Sequence, residues 1–441
     1  MDFDTAGPLP RVSVAVSIMA LILFVLPARS QEKFTMTSDR DEDRVEEPAP
    51  GREEVRRVID EPIRRGVMLS LVDGLKFPLT QFGKALDKGL QKVERDHVLE
   101  RAQDLEERAR EQGIEPLFGG LGPGAGFAFG VNIFREHLLG TNLRLDIPLQ
   151  YSTNGYAALG TRLTFPLLRD DRLFLRAEFR YQDRPQEDFF GLGPASLEAD
   201  RTNFELEKRS LELTVGSRVS KGLVLGIRGG VSNANVARGT DNRFPDLQDR
   251  FAPSTLPGAE QGAELASAGA FLEWDYRNNP LDPTAGGIWT LEASYFRDTD
   301  AQDFRFMRYS LETAHYLPLD DEHGLAFRAL GLFNEEKGRA AVPFFMKAVL
   351  GGKETMRGFR EFRFYDDNAL LFSAEYRWRI WKFADAILFV DEGQVAPEPG
   401  AFSISDFRNS HGIGLRFRSK RTAQILRVDV GHSKEGWRLY F

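Results

Sequence analysis

The chain of 441 residues contains no cysteine. Disulfide bonds, zinc sites built from thiolates and a lipid anchor on an N-terminal cysteine are therefore excluded. Basic residues are not in excess either, because 58 lysines and arginines stand against 66 acidic residues and the formal net charge is -8. A nucleic-acid partner would normally require a basic face, so we expect none.

Motifs for catalysis, metal binding and nucleotide binding are also missing. The six histidines show no spacing typical of metal ligands, and no GxSxG sequence is present. Ser410 and His411 are neighbours in a predicted strand, so their side chains point to opposite faces and cannot act as a nucleophile and its base. The glycine-rich residues 120–130 (GLGPGAGFAFG) lack the GxGxxG spacing and precede a strand. We predict no catalytic residue, no cofactor and no metal.

The N-terminus carries a targeting segment. Residues 12–26 (VSVAVSIMALILFVL) form an apolar run that is too short to span a bilayer comfortably. The sequence ARSQ follows and is typical of a cleavage site after Ser30, so residues 1–30 are predicted to be a signal peptide. Asp2 and Asp4 are unusual in such a signal. An uncleaved anchor and a misassigned start codon therefore remain alternatives.

Two further segments precede the main domain. Residues 31–77 are charged and contain proline without periodicity, which predicts a mostly disordered linker. Residues 78–112 are predicted to be helical and amphipathic, since apolar residues recur at spacings of four and three, beginning with Phe82, Leu86 and Leu90. Simple helices fit this pattern, and so does a helix that binds a partner or a membrane surface.

From residue 113 to residue 441 the hydrophobic period changes to two. In residues 369–380 (ALLFSAEYRWRI) apolar side chains alternate with serine, glutamate and arginine. Residues 173–181 (LFLRAEFRY) and 425–431 (ILRVDVG) show the same alternation. Such segments are β-strands with one apolar and one charged face.

Strand length and the rhythm of the connections favour a membrane barrel over a soluble sandwich. The segments run for about 10 to 15 residues, and about 330 residues allow about 16 strands. Short turns such as residues 220–222 and 319–324 alternate with long connections, which we place at residues 183–201, 237–261, 336–368 and 396–406. We predict an all-β transmembrane fold, a 16-stranded antiparallel barrel. Its last strand, WRLYF, places Trp437, Leu439 and Phe441 on one face as a C-terminal strand signal.

One arginine in the third of these long connections has a predicted place inside the barrel. Arg357 lies in GGKETMRGF, and the strand AILFVDEG directs Asp391 into the lumen. A tight turn near residue 383 would set Glu375 about opposite Asp391, where two carboxylates repel each other. An arginine between them would form paired, charge-assisted hydrogen bonds. Gly412 and Gly414 leave space on the inner wall, so we expect the loop to fold into the lumen there.

The order and spacing of these motifs carry a resemblance to a known family. The chain resembles the superfamily of BamA and TamA (the bacterial surface antigen family), which also includes the chloroplast import pores and the two-partner secretion transporters. Its [V/M]RG[F/Y] loop motif matches Met356, Arg357, Gly358 and Phe359, and its acidic wall positions and FxDxG strand match Glu375, Phe389, Asp391 and Gly393. Residues 275–287 and 189–193 also resemble recurrent barrel segments of that family.

The resemblance implies a location in the bacterial outer membrane with the N-terminus in the periplasm. It also implies that the barrel inserts outer-membrane proteins or translocates polypeptides. Its partners would be outer-membrane lipid, unfolded outer-membrane or secreted proteins and periplasmic accessory proteins. The first and last strands of such barrels pair weakly and can open laterally. Here residues 114–121, with Gly119 and Gly120, would form either a weak first strand or simply a short one.

The N-terminal segment departs from the family pattern, and this leaves the function open. Family members with translocation or insertion roles carry periplasmic POTRA modules with a βααββ order. Residues 31–112 show a linker and helices without alternating strands, so we predict that they contain no POTRA module. The alternative function is a passive or structural outer-membrane pore with a lumen-plugging loop. An outer-membrane hydrolase is a lesser alternative.

Overall fold

The structure is a computed structural model, and it describes residues 108–119, 121–138, 140–168, 172–299, 303–338, 340–381, 384–418 and 424–441. The predicted signal peptide (1–30), linker (31–77) and most of the helical segment (78–112) lie outside these ranges. Residues 108–111 form a helical turn directly before the first strand. Within the described ranges, no helix is long and apolar enough to cross a membrane.

Sixteen strands form a single antiparallel sheet in which each strand pairs with the next along the chain. The predicted antiparallel barrel of 16 strands is thereby confirmed. The strands are β1 (Ile114–Phe118), β2 (Ala128–Leu138), β3 (Leu143–Ser152), β4 (Ala157–Pro166), β5 (Leu173–Phe189), β6 (Thr202–Ser220), β7 (Leu223–Arg238), β8 (Ala263–Asp275), β9 (Gly286–Asp298), β10 (Arg305–Pro318), β11 (His323–Glu336), β14 (Asn368–Trp381), β15 (Ala384–Ala396), β16 (Arg408–Arg418), β17 (Gln424–Ser433) and β18 (Gly436–Tyr440).

Smaller elements lie in the connections. A two-stranded hairpin of β12 (Ala348–Leu350) and β13 (Phe364–Asp366) stands between β11 and β14. Short helical turns occupy Glu198–Asp200, Leu247–Arg250, Pro253–Thr255, Phe344–Met346, Pro399–Ala401 and Ile404–Asp406.

The sheet has an apolar outer face and a charged inner face, which is the reverse of a soluble sandwich. Apolar side chains such as Ile227 and Leu388 are more than half exposed on the outer face, whereas Asp391 and Asp429 are completely buried on the inner face. Apolar surface of this extent would be unfavourable in water and is stable in lipid. The alternation seen in the sequence therefore places aliphatic residues toward lipid and charged residues toward the lumen.

The connections differ in length between the two ends of the barrel. One end has short turns, such as the two residues between β6 and β7. The other has long connections: residues 190–201 between β5 and β6 (loop 3), 239–262 between β7 and β8 (loop 4) and 337–367 between β11 and β14 (loop 6). Loops 3 and 4 begin later than predicted because β5 and β7 continue their alternation past the length needed to cross a bilayer.

An apolar cluster fills the long-loop end of the barrel. Phe189 and Phe204 meet Leu247 of loop 4 and two loop 6 residues, Phe344 and Tyr365, and all five are almost completely buried. The aromatic rings meet edge to face, with centroids 5.0 to 5.7 Å apart. This packing, which is favourable for aromatic pairs, joins strands and loops into a cap over the lumen.

The sheet has its two shortest barrel strands at its edges. β1 has five residues and ends at Phe118, before the glycines that the sequence placed inside it, since Gly119 adopts a turn with φ of 73°. β18 also has five residues and pairs with β17. One cavity is lined by both Gly124 and Tyr440, so β18 approaches the connection between β1 and β2. Among the described strands, no ladder joins β18 to β1.

The polarity of the wall can be tested with two substitutions on β7. Ile227 is 62% exposed on the outer face and Ser232 lies on the inner face. Ile227→Arg should lower the free energy of unfolding in lipid vesicles by about 2–4 kcal/mol, because a charge then faces hydrocarbon. Ser232→Arg, the matched control, should have a much smaller effect. Equal losses for both variants, measured by denaturant titration, would contradict this assignment of faces.

Candidate functional site

Arg357, near the tip of loop 6, lies inside the barrel and is only 3% exposed. Its backbone N–H and its Nε donate to Oδ2 of Asp391 at 3.0 and 2.8 Å, and a terminal nitrogen donates to Oδ1 at 2.6 Å. The other terminal nitrogen donates to Oε1 of Glu375 at 2.6 Å. The guanidinium also lies 3.7 Å from the ring centre of Phe389. We call Arg357, Asp391 and Glu375 the clamp.

The two carboxylates of the clamp are not directly opposite each other, which corrects the predicted register. Glu375 pairs with Phe389, and Asp391 pairs with Ser373. A bulge between Arg379 and Trp381 interrupts the ladder near the turn, so the simple turn assumed from the sequence gives the wrong alignment. The predicted and observed registers differ by an even number of residues, and therefore both carboxylates still face the lumen.

Each remaining residue of the two motifs has a packing role. Met356 and Phe359 are completely buried beside the arginine, and the Phe359 ring meets Phe364 edge to face with centroids 5.2 Å apart. Gly393 leaves the space that Met356 occupies, since a Cβ there would lie 2.8 Å from the Met356 sulfur. The strand motif therefore provides a ring under the guanidinium of Arg357, a carboxylate beside it and a gap for the side chain of Met356.

The loop backbone approaches the wall at Gly431, which the sequence did not single out. A Cβ on Gly431 would lie 2.6 Å from the carbonyl carbon of Arg357. Gly358 has a φ of 118°, which a residue with a side chain rarely adopts. The space at Gly412 and Gly414 serves other groups: the Phe389 ring lies over Gly412, and a Cβ on Gly414 would meet a carboxylate and a guanidinium of the wall.

A third carboxylate, Asp429 of β17, extends the clamp into a network. It is completely buried and accepts hydrogen bonds from Arg416 and Arg427, and it lies 4.0 Å from a terminal nitrogen of Arg357. Arg427 in turn donates to the carbonyl of Lys353 in loop 6 at 2.9 Å. The alternation in residues 425–431 already placed Arg427 and Asp429 on the polar face, but only the fold brings them to the loop.

Two charged groups of loop 6, Arg357 and Glu361, have raised pKa values. Burial lowers the pKa of Arg357, but the hydrogen bond and charge of Asp391, together with Glu375, outweigh burial and raise that pKa above its usual value. Burial raises the pKa of Glu361 to about 7, while the backbone N–H of Lys353 opposes this shift. Oε2 of Glu361 has no hydrogen-bond partner in the described part of the chain.

The last strand alternates as its sequence predicts. Trp437, Leu439 and Phe441 are more than half exposed on the outer face. Between them, the Tyr440 hydroxyl points inward and donates to the carbonyl of Phe359 in loop 6. The terminal strand thus presents an apolar face to lipid while its polar face contacts loop 6. No group of three His, Asp or Glu side chains among the described residues is arranged to hold a metal ion.

Comparisons with known proteins agree with this architecture. The model of the Omp85 superfamily domain matches residues 137–430. BamA from Haemophilus ducreyi lacking POTRA domains 1–3 is similar with a TM-score of 0.55 at 14% identity, over 74% of this chain and 67% of that one.

Two further structures are less similar. CdiB from Acinetobacter baumannii gives a TM-score of 0.43 at 13% identity, over 72% of this chain and 56% of that one. CdiB from Escherichia coli gives 0.49 at 12% identity, over 73% and 60%. The chain therefore spans less than two thirds of either CdiB.

Replacing Arg357 by alanine should release loop 6. Asp391, which is completely buried, would lose its cation, while Glu375 would keep Arg377, and breaking a buried ion pair typically costs about 3–5 kcal/mol. Arg357→Lys should fail as well, because one ammonium cannot replace the fork that holds both carboxylates. The measurement is proteolysis of loop 6 in the folded barrel. Arg162→Met is the control, since it removes a 2.8 Å ion pair with Glu178 elsewhere in the wall. Unchanged protection of loop 6 in Arg357→Ala would contradict the clamp.

The packing of loop 6 should weaken as pH rises through Glu361. A carboxyl whose folded pKa is raised to about 7 from 4.5 holds its proton better when folded, so the loop is most stable below pH 4.5. That contribution should decline between pH 4.5 and about 7 and then level off. Glu361→Gln should flatten the profile of loop 6 proteolysis against pH. An identical pH dependence in wild type and variant would exclude Glu361 as the cause.

Proposed function

The chain belongs to the Omp85 superfamily of outer-membrane barrels, and we propose that it inserts outer-membrane proteins or translocates polypeptides through an opening between β18 and β1. The observation that carries this proposal is the seam: β1 and β18, the two edge strands of the sheet, have five residues each, and no ladder joins them among the described residues. Unpaired backbone N–H and C=O groups at such an edge can pair with an added strand. A client segment is the partner that fits this chemistry.

The lengths of the terminal strands support an opening at the seam. β1 pairs with β2 from Ile133 to Phe129, and the N–H of Phe134 donates to the carbonyl of Gly113. Within the described residues, the remaining part of β2 toward the short-turn end, Arg135 to Leu138, has no ladder on that edge. β18 likewise covers β17 only between Asp429 and Ser433. Backbone groups that are unpaired in lipid are costly, which favours the addition of another strand there.

We place the long-loop end at the cell surface and the short-turn end in the periplasm, as is usual for bacterial barrels. In this orientation the residues before β1 would be periplasmic, and the even number of strands would place the end of β18 on the same side. We further propose that residues 31–112 contain a linker and helices without a POTRA module. In that case a periplasmic accessory protein would have to deliver clients. The partners would be outer-membrane lipid, unfolded outer-membrane or secreted proteins and such an accessory protein, with no enzymatic step.

The second candidate is a passive or structural pore, and the cap argues against free passage of solutes. A passive pore needs an aqueous path through both ends of the barrel. Here Phe189, Phe204, Leu247 and Phe344 form an apolar cluster at the long-loop end, and the clamp fixes loop 6 below it. Loop 6 braces the wall under either function, so the clamp alone does not distinguish them.

Depletion of the protein from its host should remove a defined set of outer-membrane or surface proteins. The reason is that clients of an insertase or translocase fail to reach their destination without it. The measurement is a quantitative inventory of the outer membrane after complementation with wild type, Arg357→Ala or the Arg162→Met control. Wild type and control should restore the inventory, and Arg357→Ala should not. An unchanged inventory with altered permeability to small solutes would favour the passive pore.

A further inference from the structure

We propose that a second arginine of loop 6, Arg363, is a positioning residue that holds the surface end of the terminal strand closed. It joins loop 6 to loop 3 and to the turn between β17 and β18. We call Arg363, Ser196 and Glu435 the terminal latch. The inference rests on the proposed function in one respect, because a latch has a purpose only if the seam opens.

All three nitrogens of the Arg363 guanidinium have partners in other segments. Nε donates to both carboxylate oxygens of Glu435 at 2.8 and 3.0 Å. The terminal nitrogens donate to the hydroxyl and the carbonyl oxygen of Ser196 at 2.9 and 2.7 Å. Rings of Phe190 and Phe364 lie 5.0 and 4.6 Å from the guanidinium. A planar fork with five N–H donors suits such a three-way junction, and lysine would not reproduce it.

The ion pair between Arg363 and Glu435 is buried, which distinguishes it from ordinary surface ion pairs. Arg363 is 2% exposed, and the Glu435 side chain is 9% exposed. Surface pairs contribute little because water and salt screen them, whereas removing one partner of a buried pair leaves a charge without compensation. Breaking the latch is therefore costly, because it leaves a buried charge without its partner.

Neighbouring contacts connect the same segments. One carboxylate oxygen of Glu198 in loop 3 accepts from Arg360 of loop 6 at 2.6 Å and from Arg438 of β18 at 2.7 Å. Arg408 of β16 donates to the carbonyl of Pro194 in loop 3 at 2.9 Å. Loop 3 therefore reaches from β5 and β6 to the last strands, across the interior of the barrel.

The terminal strand depends on these contacts because one of its edges has no ladder. β18 is paired with β17 along five residues, and no ladder joins it to β1 in the described part of the barrel. The latch acts on Glu435, the residue directly before β18. Its release would free Glu435, at the start of β18, from Arg363 and so from Ser196 of loop 3, while Arg438 keeps its contact with Glu198 and the ladder between β17 and β18 stays intact.

The two arginines of loop 6 differ in how well their charges are compensated. Carboxylates outweigh burial at Arg357 and raise its pKa, whereas burial outweighs Glu435 at Arg363 and lowers its pKa. Arg357 bonds to two carboxylates and lies 4.0 Å from a third, whereas Arg363 bonds to one carboxylate, so fewer charge contacts are lost when Arg363 is released. This order fits a device in which the clamp stays fixed and the terminal latch opens.

Spin labels across the seam test the latch directly. The chain has no cysteine, so Lys434→Cys and Phe127→Cys carry the only labels, both on exposed residues at the long-loop end. A reference pair, Leu213→Cys with Ala268→Cys, lies two strands apart on the opposite side of the barrel. Distances are measured by pulsed electron paramagnetic resonance on the purified barrel in lipid vesicles, with no client present.

Arg363→Met and Glu435→Gln should each increase the population with long distances across the seam several-fold. The double variant should resemble the single variants, because both remove the same contact. The reference pair and the Arg162→Met control should be unchanged. An unchanged seam distance in Arg363→Met overturns the latch, and so does an equal change in the reference pair. A widened seam supports the latch even where depletion reveals no client, so the two proposals fail independently.

Discussion

The inner wall at β14 and β15 depends on one guanidinium from a loop, which neutralises the buried Asp391. Asp391 and Glu375 face the lumen on adjacent strands, and Arg357 bonds to both. Without the loop, a completely buried carboxylate would have no cation, and a second carboxylate would face the lumen on the adjacent strand. Without the wall, a buried arginine would have no counter-charge. Loop and wall therefore stabilise each other, and the motif in each is explained by the geometry of the other.

The polarity of the strands could be predicted from the sequence because a strand has a period of two. Residues such as Leu388 and Asp391 fall on opposite faces whatever the register, and lipid outside with charge inside follows from their chemistry. The strand count and the rhythm of the connections follow from length and turn composition. The same reasoning located Arg357 in the lumen, since a cation was needed between carboxylates that alternation already directed inward.

Register and contacts between loops could not be predicted in this way. The bulge near Arg379 shifts the pairing of Glu375, and no hydrophobic pattern marks it. Arg363 bonds to Ser196, which lies 167 positions earlier, and to Glu435, 72 positions later. Asp429 was visible as an inward residue but not as part of the network. Contacts of this kind are set by the closure of the sheet, which brings distant segments together after the strands have formed.

Loop 6 is held by two separate sets of contacts, the clamp at Arg357 and the terminal latch at Arg363. This separation explains how a seam could open in a capped barrel. The tip is fixed by the clamp, whose arginine is well compensated, and the apolar cap is held by Phe344 and Tyr365 of the same loop. The terminal latch uses other residues, since Arg363 contacts Phe190, which is next to Phe189 of the cap, and Ser196 of loop 3. Release of the latch would thus break one buried ion pair and leave the cap packed, and full separation of β18 from loop 3 would also break the Arg438–Glu198 pair. A client strand could then enter at the edge while the lumen stays closed to small solutes.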